Sequence, residues 1–107
     1  MPIKAEWVAF KLENIRLLPS NLMGVYECGH KRGSKVLYIG KGNIRARLLA
    51  HAKEKEFGIV THFRKRRADN PDDAEDRLLS EYKRKYGKLP LLNKNKPSGD
   101  PWKDILY

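Results

Sequence analysis

Two tyrosines, a lysine, an arginine and a histidine fall close together in residues 24–51, GVYECGHKRGSKVLYIGKGNIRARLLAH. Tyr26 and Tyr38 offer hydroxyls that can position water or a phosphate oxygen, or act as bases once deprotonated. Lys41 and Arg47 offer positive charge, and Arg47 can fork onto two phosphate oxygens. His51 exchanges a proton near neutral pH without help. Farther along, Glu75 supplies a carboxylate able to hold a hard cation. The set suits an anionic, phosphate-like substrate. Each member also has an ordinary reading. Tyrosines pack in strands, and Arg47 and His51, at i and i+4 of one helix, can simply snorkel over the rim of a core.

The elements that must position these residues can be read in turn. Residues 23–28 and 36–40 are short apolar runs joined by the polar link His30-Lys31-Arg32-Gly33-Ser34-Lys35. That pattern predicts a β-hairpin with a long loop. Asn43 is a good N-cap for a helix from Ile44 to about Lys55, with Ile44, Leu48, Leu49 and Ala52 as its apolar stripe. Residues 57–63 read as a third strand, which runs into Arg64-Lys65-Arg66-Arg67. Such a charge run is either a solvated surface or a contact for phosphate backbones.

The clearest helix spans residues 70–87. Asn70 caps it, Pro71 takes the first helical position, Asp72 and Asp73 suit the positive end of the dipole, and Gly87 stops it. Ala74, Leu78, Leu79, Tyr82 and Tyr86 form its apolar face, and Glu75 falls near the middle of that face. Burying a carboxylate there is costly unless it is paired or metal-bound. It is therefore a structural ion pair with Arg47 or a lysine, or a metal ligand or catalytic carboxylate. Residues 5–12 read as a short edge strand or docking segment, 13–22 as a loop, and 88–93 as an extended stretch. Trp102, Ile105 and Leu106 suggest one turn that docks back on the body.

The 107 residues suffice for one domain with a modest core. Lys and Arg number 23 against 13 Asp and Glu, a net charge of +10. Such a field attracts polyanions by releasing their counterions, which makes nucleic acid the leading partner class. No long apolar run, signal peptide or basic amphipathic helix stands out, so the expectation is a soluble cytoplasmic protein with no membrane partner. The single cysteine, Cys28, excludes an internal disulfide. Cys28, His30, His51 and His62 match no common zinc spacing. Gly40-Lys41-Gly42 lacks the upstream glycine and the Ser or Thr of a P-loop.

Taken together, the motifs resemble the GIY-YIG nuclease superfamily. Gly24-Val25-Tyr26 and Tyr38-Ile39-Gly40 correspond to its two name-giving motifs. Arg47 with His51 four residues on, Glu75-Asp76-Arg77-Leu78-Leu79-Ser80-Glu81-Tyr82, and Pro90-Leu91-Leu92-Asn93 correspond to the three that follow. The resemblance covers about residues 22–95 of a single domain spanning 1–107, leaving 96–107 as a C-terminal tail. Each motif alone is weak, but five in the right order are specific. The stretch from Tyr82 to Pro90 is several residues longer than in the excision-repair members, which makes Glu81 a rival to Glu75. The stretch from Tyr38 to Arg47 is about one residue shorter than in some members, which makes Arg45 a lesser rival to Arg47.

The resemblance implies an α/β (α+β) fold, a three-stranded antiparallel sheet flanked by helices. It implies a metal-dependent endonuclease, a hydrolase of nucleic-acid phosphodiester bonds, with DNA favoured and RNA possible as substrate. The cofactor would be Mg²⁺ or Mn²⁺ in a single-metal site on Glu75. Arg47 would stabilise charge in the transition state. Tyr26 would position the attacking water or act as general base, with His51 the other candidate base, and Tyr38 would position water or phosphate. Gly40 and Asn93 would be structural, and Lys41, Arg45, Arg64, Lys65, Arg66 and Arg67 would contact nucleic acid. With little chain outside the core, targeting falls to DNA structure, a partner protein or a homodimer. The alternative is a non-catalytic DNA- or RNA-binding module on the same fold.

Overall fold

In the computed structural model, which describes residues 3 and 5–94, four antiparallel strands form one sheet with helices on both faces. The strands are β1 (Val8–Ala9), β2 (Met23–His30), β3 (Lys35–Asn43) and β4 (His62–Arg67), in the order β1-β4-β2-β3. The helices are α1 (Leu12–Arg16), α2 (Ile44–His51), α3 (Pro71–Tyr86) and α4 (Leu91–Lys94), with a 3-10 turn at Lys55–Ile59. No helix among the described residues is long and apolar enough to cross a membrane.

The expected three-stranded sheet is thus corrected to four. The segment read as an edge strand or docking piece supplies β1, whose Val8 and Ala9 pair with Phe63 and His62. The strand expected at 57–63 begins later. Phe57 and Gly58 lie in the 3-10 turn, and the strand takes up the cation run instead. Pairing makes that possible. Register sets Arg64 opposite Glu27 and Arg66 opposite Val25, while Lys65 lies opposite Tyr26 and Arg67 opposite Gly24. Successive side chains leave a strand on opposite faces, so the four cations divide two and two.

Other boundaries shift as well. Residues 13–22, expected as loop, contain α1, whose Glu13 and Arg16 sit at the ends that favour their charges and whose Ile15 is buried. Helix α2 ends at His51 rather than near Lys55, and the chain turns there into the 3-10 segment. The stretch expected to be extended at 88–93 closes with the short helix α4. The turn proposed around Trp102, Ile105 and Leu106 lies outside the described residues. Helix α3 matches its expected span. Asn70 accepts from the Asp73 backbone N–H, and Gly87 closes the helix at φ 77°, a left-handed conformation that glycine takes without strain.

The sheet separates two apolar clusters. Tyr26, Cys28 and Tyr38 pack with Ile15, Ile44, Leu48, Phe57, Phe63 and Leu92 on the side of α1, α2 and α4. Val25 and Ile39 pack with Ile3, Ala74 and Leu78 on the side of α3. A register shift between Cys28 and Gly29 is the reason that Leu37 and Tyr38, though adjacent, both join the first cluster.

Asn93 ties α4 to the sheet. Its Oδ1 accepts from the Ile39 backbone N–H and its Nδ2 donates to the Ile39 carbonyl, both at 2.9 Å. The side chain imitates a neighbouring peptide. Asn93→Ala removes both bonds and leaves two partly buried backbone groups without them. The expected loss is about 1–3 kcal/mol, read as a lower urea midpoint at unchanged m-value.

Candidate functional site

The site is built on the first of the two faces. Tyr26 and Tyr38 share a face because Tyr26 pairs with Gly40 and Cys28 with Tyr38, which sets the two phenols two positions apart across β2 and β3. Their ring centroids are 6.1 Å apart. Gly40 lies between them, and a Cβ there would come within 2.4 Å of the Tyr26 ring and 2.7 Å of the Tyr38 ring. The glycine of this motif therefore makes room for the two rings. Helix α2 starts directly after β3, with Asn43 accepting from the Ala46 N–H, so Arg47 and His51 arrive over the same rings.

His51 is 1% exposed. Its Nε2 lies 2.7 Å from the Tyr26 hydroxyl and its Nδ1 lies 2.5 Å from a Glu54 carboxylate oxygen. Phe57 stacks on the ring at 4.1 Å, nearly parallel, and Tyr38 meets it edge-on at 4.9 Å. Burial pushes the Tyr26 hydroxyl far above the usual phenol range, with Arg47 opposing. Burial raises Tyr38 too, again opposed by Arg47. Arg47 itself is exposed, and its polar interaction with Tyr26 helps to keep it protonated. It sits where the buried phenols meet solvent.

Glu75, on α3, lies at the edge of this group and is partly buried. Its side chain is 18% exposed and stands 3.6 Å from the Lys41 ammonium, which also pairs with Asp72 one turn earlier on α3. Desolvation raises the Glu75 carboxyl above its ordinary value, and Lys41 opposes the shift. Its charge is also felt at Tyr38. The ion pair considered from the sequence, with Arg47 or a lysine, is thus made with Lys41. Glu81, the rival carboxylate, lines a cleft of about 210 Å³ on the α3 face with Glu27, Arg64 and Tyr82.

The basic residues are not all in one place. Arg64 donates to Glu27 at 2.6 Å and lies over the Trp7 ring at 4.4 Å, on the face away from the tyrosines. Arg66 shares that face by register, whereas Lys65 and Arg67 share the face of Tyr26. On α2, the Arg45 Nε is buried with no hydrogen-bond partner among the described residues. Sequence reasoning passed over two residues of the group, Glu54 and Phe57. The spacing of Glu54, three after His51, was visible, but pairs at that spacing are common on any helix.

Among the described residues no three His, Cys, Asp or Glu side chains converge as a chelating metal cluster. Cys28 is fully buried in the core and burial holds its thiol protonated, while His30 Nδ1 bonds the Ile59 carbonyl. A zinc site on these residues does not form. Glu75 is the carboxylate of this group that a single-metal site would use, and Lys41 already pairs with it. A hydrated hard metal such as Mg²⁺ takes one or two carboxylates and keeps its waters, so at Glu75 it would have to displace or share the Lys41 ammonium.

Fold and site together define a small α+β protein whose sheet carries a buried phenol–imidazole–carboxylate chain beside an exposed guanidinium. The chain belongs to the family described as Domain of unknown function (DUF7508), whose family model matches residues 1–85. That span holds Tyr26, Tyr38, Arg47, His51, Glu54 and Glu75 and stops short of Asn93. Neither the curated proteins nor the solved structures yield a match.

Proposed function

We propose that the protein is a nucleic-acid phosphodiester hydrolase, an endonuclease of the GIY-YIG kind with DNA as the favoured substrate. The observation that carries this reading is the convergence of Tyr26, Tyr38, Arg47 and His51 over one end of the sheet, with Glu75 and Lys41 alongside. The other five residues lie far from Glu75 in sequence, and ordinary strand packing gives no reason for their meeting it. The net charge of +10 supplies long-range attraction for a polyanion.

In this reading a backbone phosphate docks on Arg47, which forks onto its oxygens and meets the charge that develops in the transition state. A free Tyr26 phenolate does not form at neutral pH, because burial disfavours it. Its proton passes instead to His51 Nε2 as the phenol oxygen takes a proton from the attacking water. The water oxygen bonds to phosphorus, the bond to the leaving sugar oxygen breaks, and that oxygen takes a proton from solvent. Tyr26 is then the relay and His51 the base. Tyr38 orients the water or a phosphate oxygen. Glu75 would hold the divalent cation, which when bound supplies Lewis-acid stabilisation to the phosphate. Lys65 and Arg67, on the same face, extend the contact along the backbone.

Supercoiled plasmid and labelled single-stranded DNA and RNA test the reading, with Mg²⁺ or Mn²⁺ and with EDTA. The expected result is nicking of plasmid that stops in EDTA. A second reading, a module that binds nucleic acid without cutting, draws on the burial of both Tyr26 and His51. Salt-sensitive binding with no cleavage under any metal would overturn the nuclease in its favour.

A further inference from the structure

Glu54 stands at the N-cap position of the 3-10 turn, yet its side chain makes no capping bond there. The carboxylate points back to His51 Nδ1 at 2.5 Å, while the Glu54 backbone N–H donates to the His51 carbonyl at 2.9 Å. The backbone bond closes the turn and brings the two side chains together. Three residues later the same segment delivers Phe57 onto the imidazole face. The segment after α2 thus holds the ring in place and the carboxylate addresses one of its nitrogens.

An ionised carboxylate only accepts hydrogen bonds, so the proton on a neutral His51 belongs on Nδ1. That leaves Nε2 bare, 2.7 Å from the Tyr26 hydroxyl, which can donate to it. We propose that Glu54 is a positioning residue that fixes His51 in the Nδ1–H tautomer, keeps Nε2 free for the Tyr26 proton and stabilises the imidazolium that results. The use of that proton rests on the nuclease reading above, whereas the tautomer does not. The wiring runs in one direction, from phenol to imidazole to carboxylate, and follows the logic by which a buried acid orients a catalytic histidine. Breaking it at Glu54 touches no atom of the substrate.

The test uses ¹⁵N NMR of the imidazole nitrogens in the full chain, together with cleavage kinetics. In the wild type Nδ1 should be the protonated nitrogen and Nε2 the acceptor. Glu54→Ala should release the tautomer preference and lower kcat by about 10- to 100-fold at unchanged KM. Glu54→Gln keeps an acceptor oxygen without the charge. It should hold the tautomer and fall between the two in kcat; if the alanine variant does not fold, a Glu54→Gln kcat equal to that of the wild type overturns the proposal in its place. An Nε2–H tautomer in the wild type, or an unchanged tautomer in Glu54→Ala, would overturn the proposal even if the protein cuts DNA. A tautomer that shifts as expected in a protein that never cuts would uphold the wiring and remove the nuclease reading instead.

Discussion

Glu75→Gln should abolish metal-dependent cleavage while leaving the fold as stable as before or slightly more so. The carboxyl is partly desolvated, and its pKa in the folded state lies above the ordinary value because of that burial. A carboxyl raised on folding contributes stability that is fully present below its unfolded pKa and is lost as pH rises through the folded one. The neutral amide of the variant carries no such charge at any pH, so it escapes the loss that ionisation brings to the wild type. What is lost is the 3.6 Å pairing with Lys41, which keeps its closer partner Asp72. Surface pairs of this kind are worth about 0–1 kcal/mol. The unfolding midpoint at pH 7 should therefore barely move, and binding to DNA in EDTA should persist. Cutting should fall by about 10³-fold, the scale of losing one preorganised electrostatic stabiliser. Cleavage within a few-fold of wild type in a folded Glu75→Gln protein would remove Glu75 from the chemistry and with it the proposed metal position.

Gly40→Ala should damage the fold and the site together. The new Cβ would stand 2.4 Å from both Cζ and Oη of Tyr26 and 2.7 Å from Cε2 of Tyr38. Neither ring can step aside easily. Tyr26 is fully buried with its hydroxyl on His51, and Tyr38 is wedged against His51 and Phe57. Overpacking of this kind costs about 1–3 kcal/mol. For a chain of this size that corresponds to a fall of roughly 5–20 °C in Tm. Because the displaced rings are the proposed relay, cleavage at a temperature where the variant is folded should drop by about 10²-fold as well. Gly58→Ala is the control, since nothing lies within 4 Å of a Cβ built there. A Gly40→Ala protein that melts like the control would mean that the rings do not crowd this glycine in solution.

What could be read beforehand differs by element for physical reasons. Helix α3 declared itself because its caps, its charged first turn and its apolar stripe are all local, and each agreed with the others. The two tyrosine strands were legible because apolar runs bounded by glycine and polar residues carry their own signal. Strand β4 was not, since four consecutive cations look like solvated surface. Partners such as Glu27 and the Trp7 ring for Arg64 help to make such a strand tolerable, and those contacts are long-range. The end of α2 was misjudged because helical spacing continues past His51, while the break there depends on Phe57 reaching the imidazole. The meeting of Tyr26, Arg47 and His51 followed from the elements once these were placed. Glu54 did not stand out, because a carboxylate three residues from a histidine signifies little until the ring is buried.

The amide of Asn93 on the backbone of Ile39 has a bearing on self-association. Strand β3 is the open end of the sheet, and an uncovered row of peptide groups there would invite a strand from another copy of the chain. Ile39 is the middle residue of that strand, and Asn93 already takes both its N–H and its C=O. At the other end β1 is only two residues long, too short to template a partner. Among the described residues, each margin of the sheet thus carries a feature that disfavours the addition of another strand. A fibre that added strands along β3 would first have to displace Asn93 from Ile39.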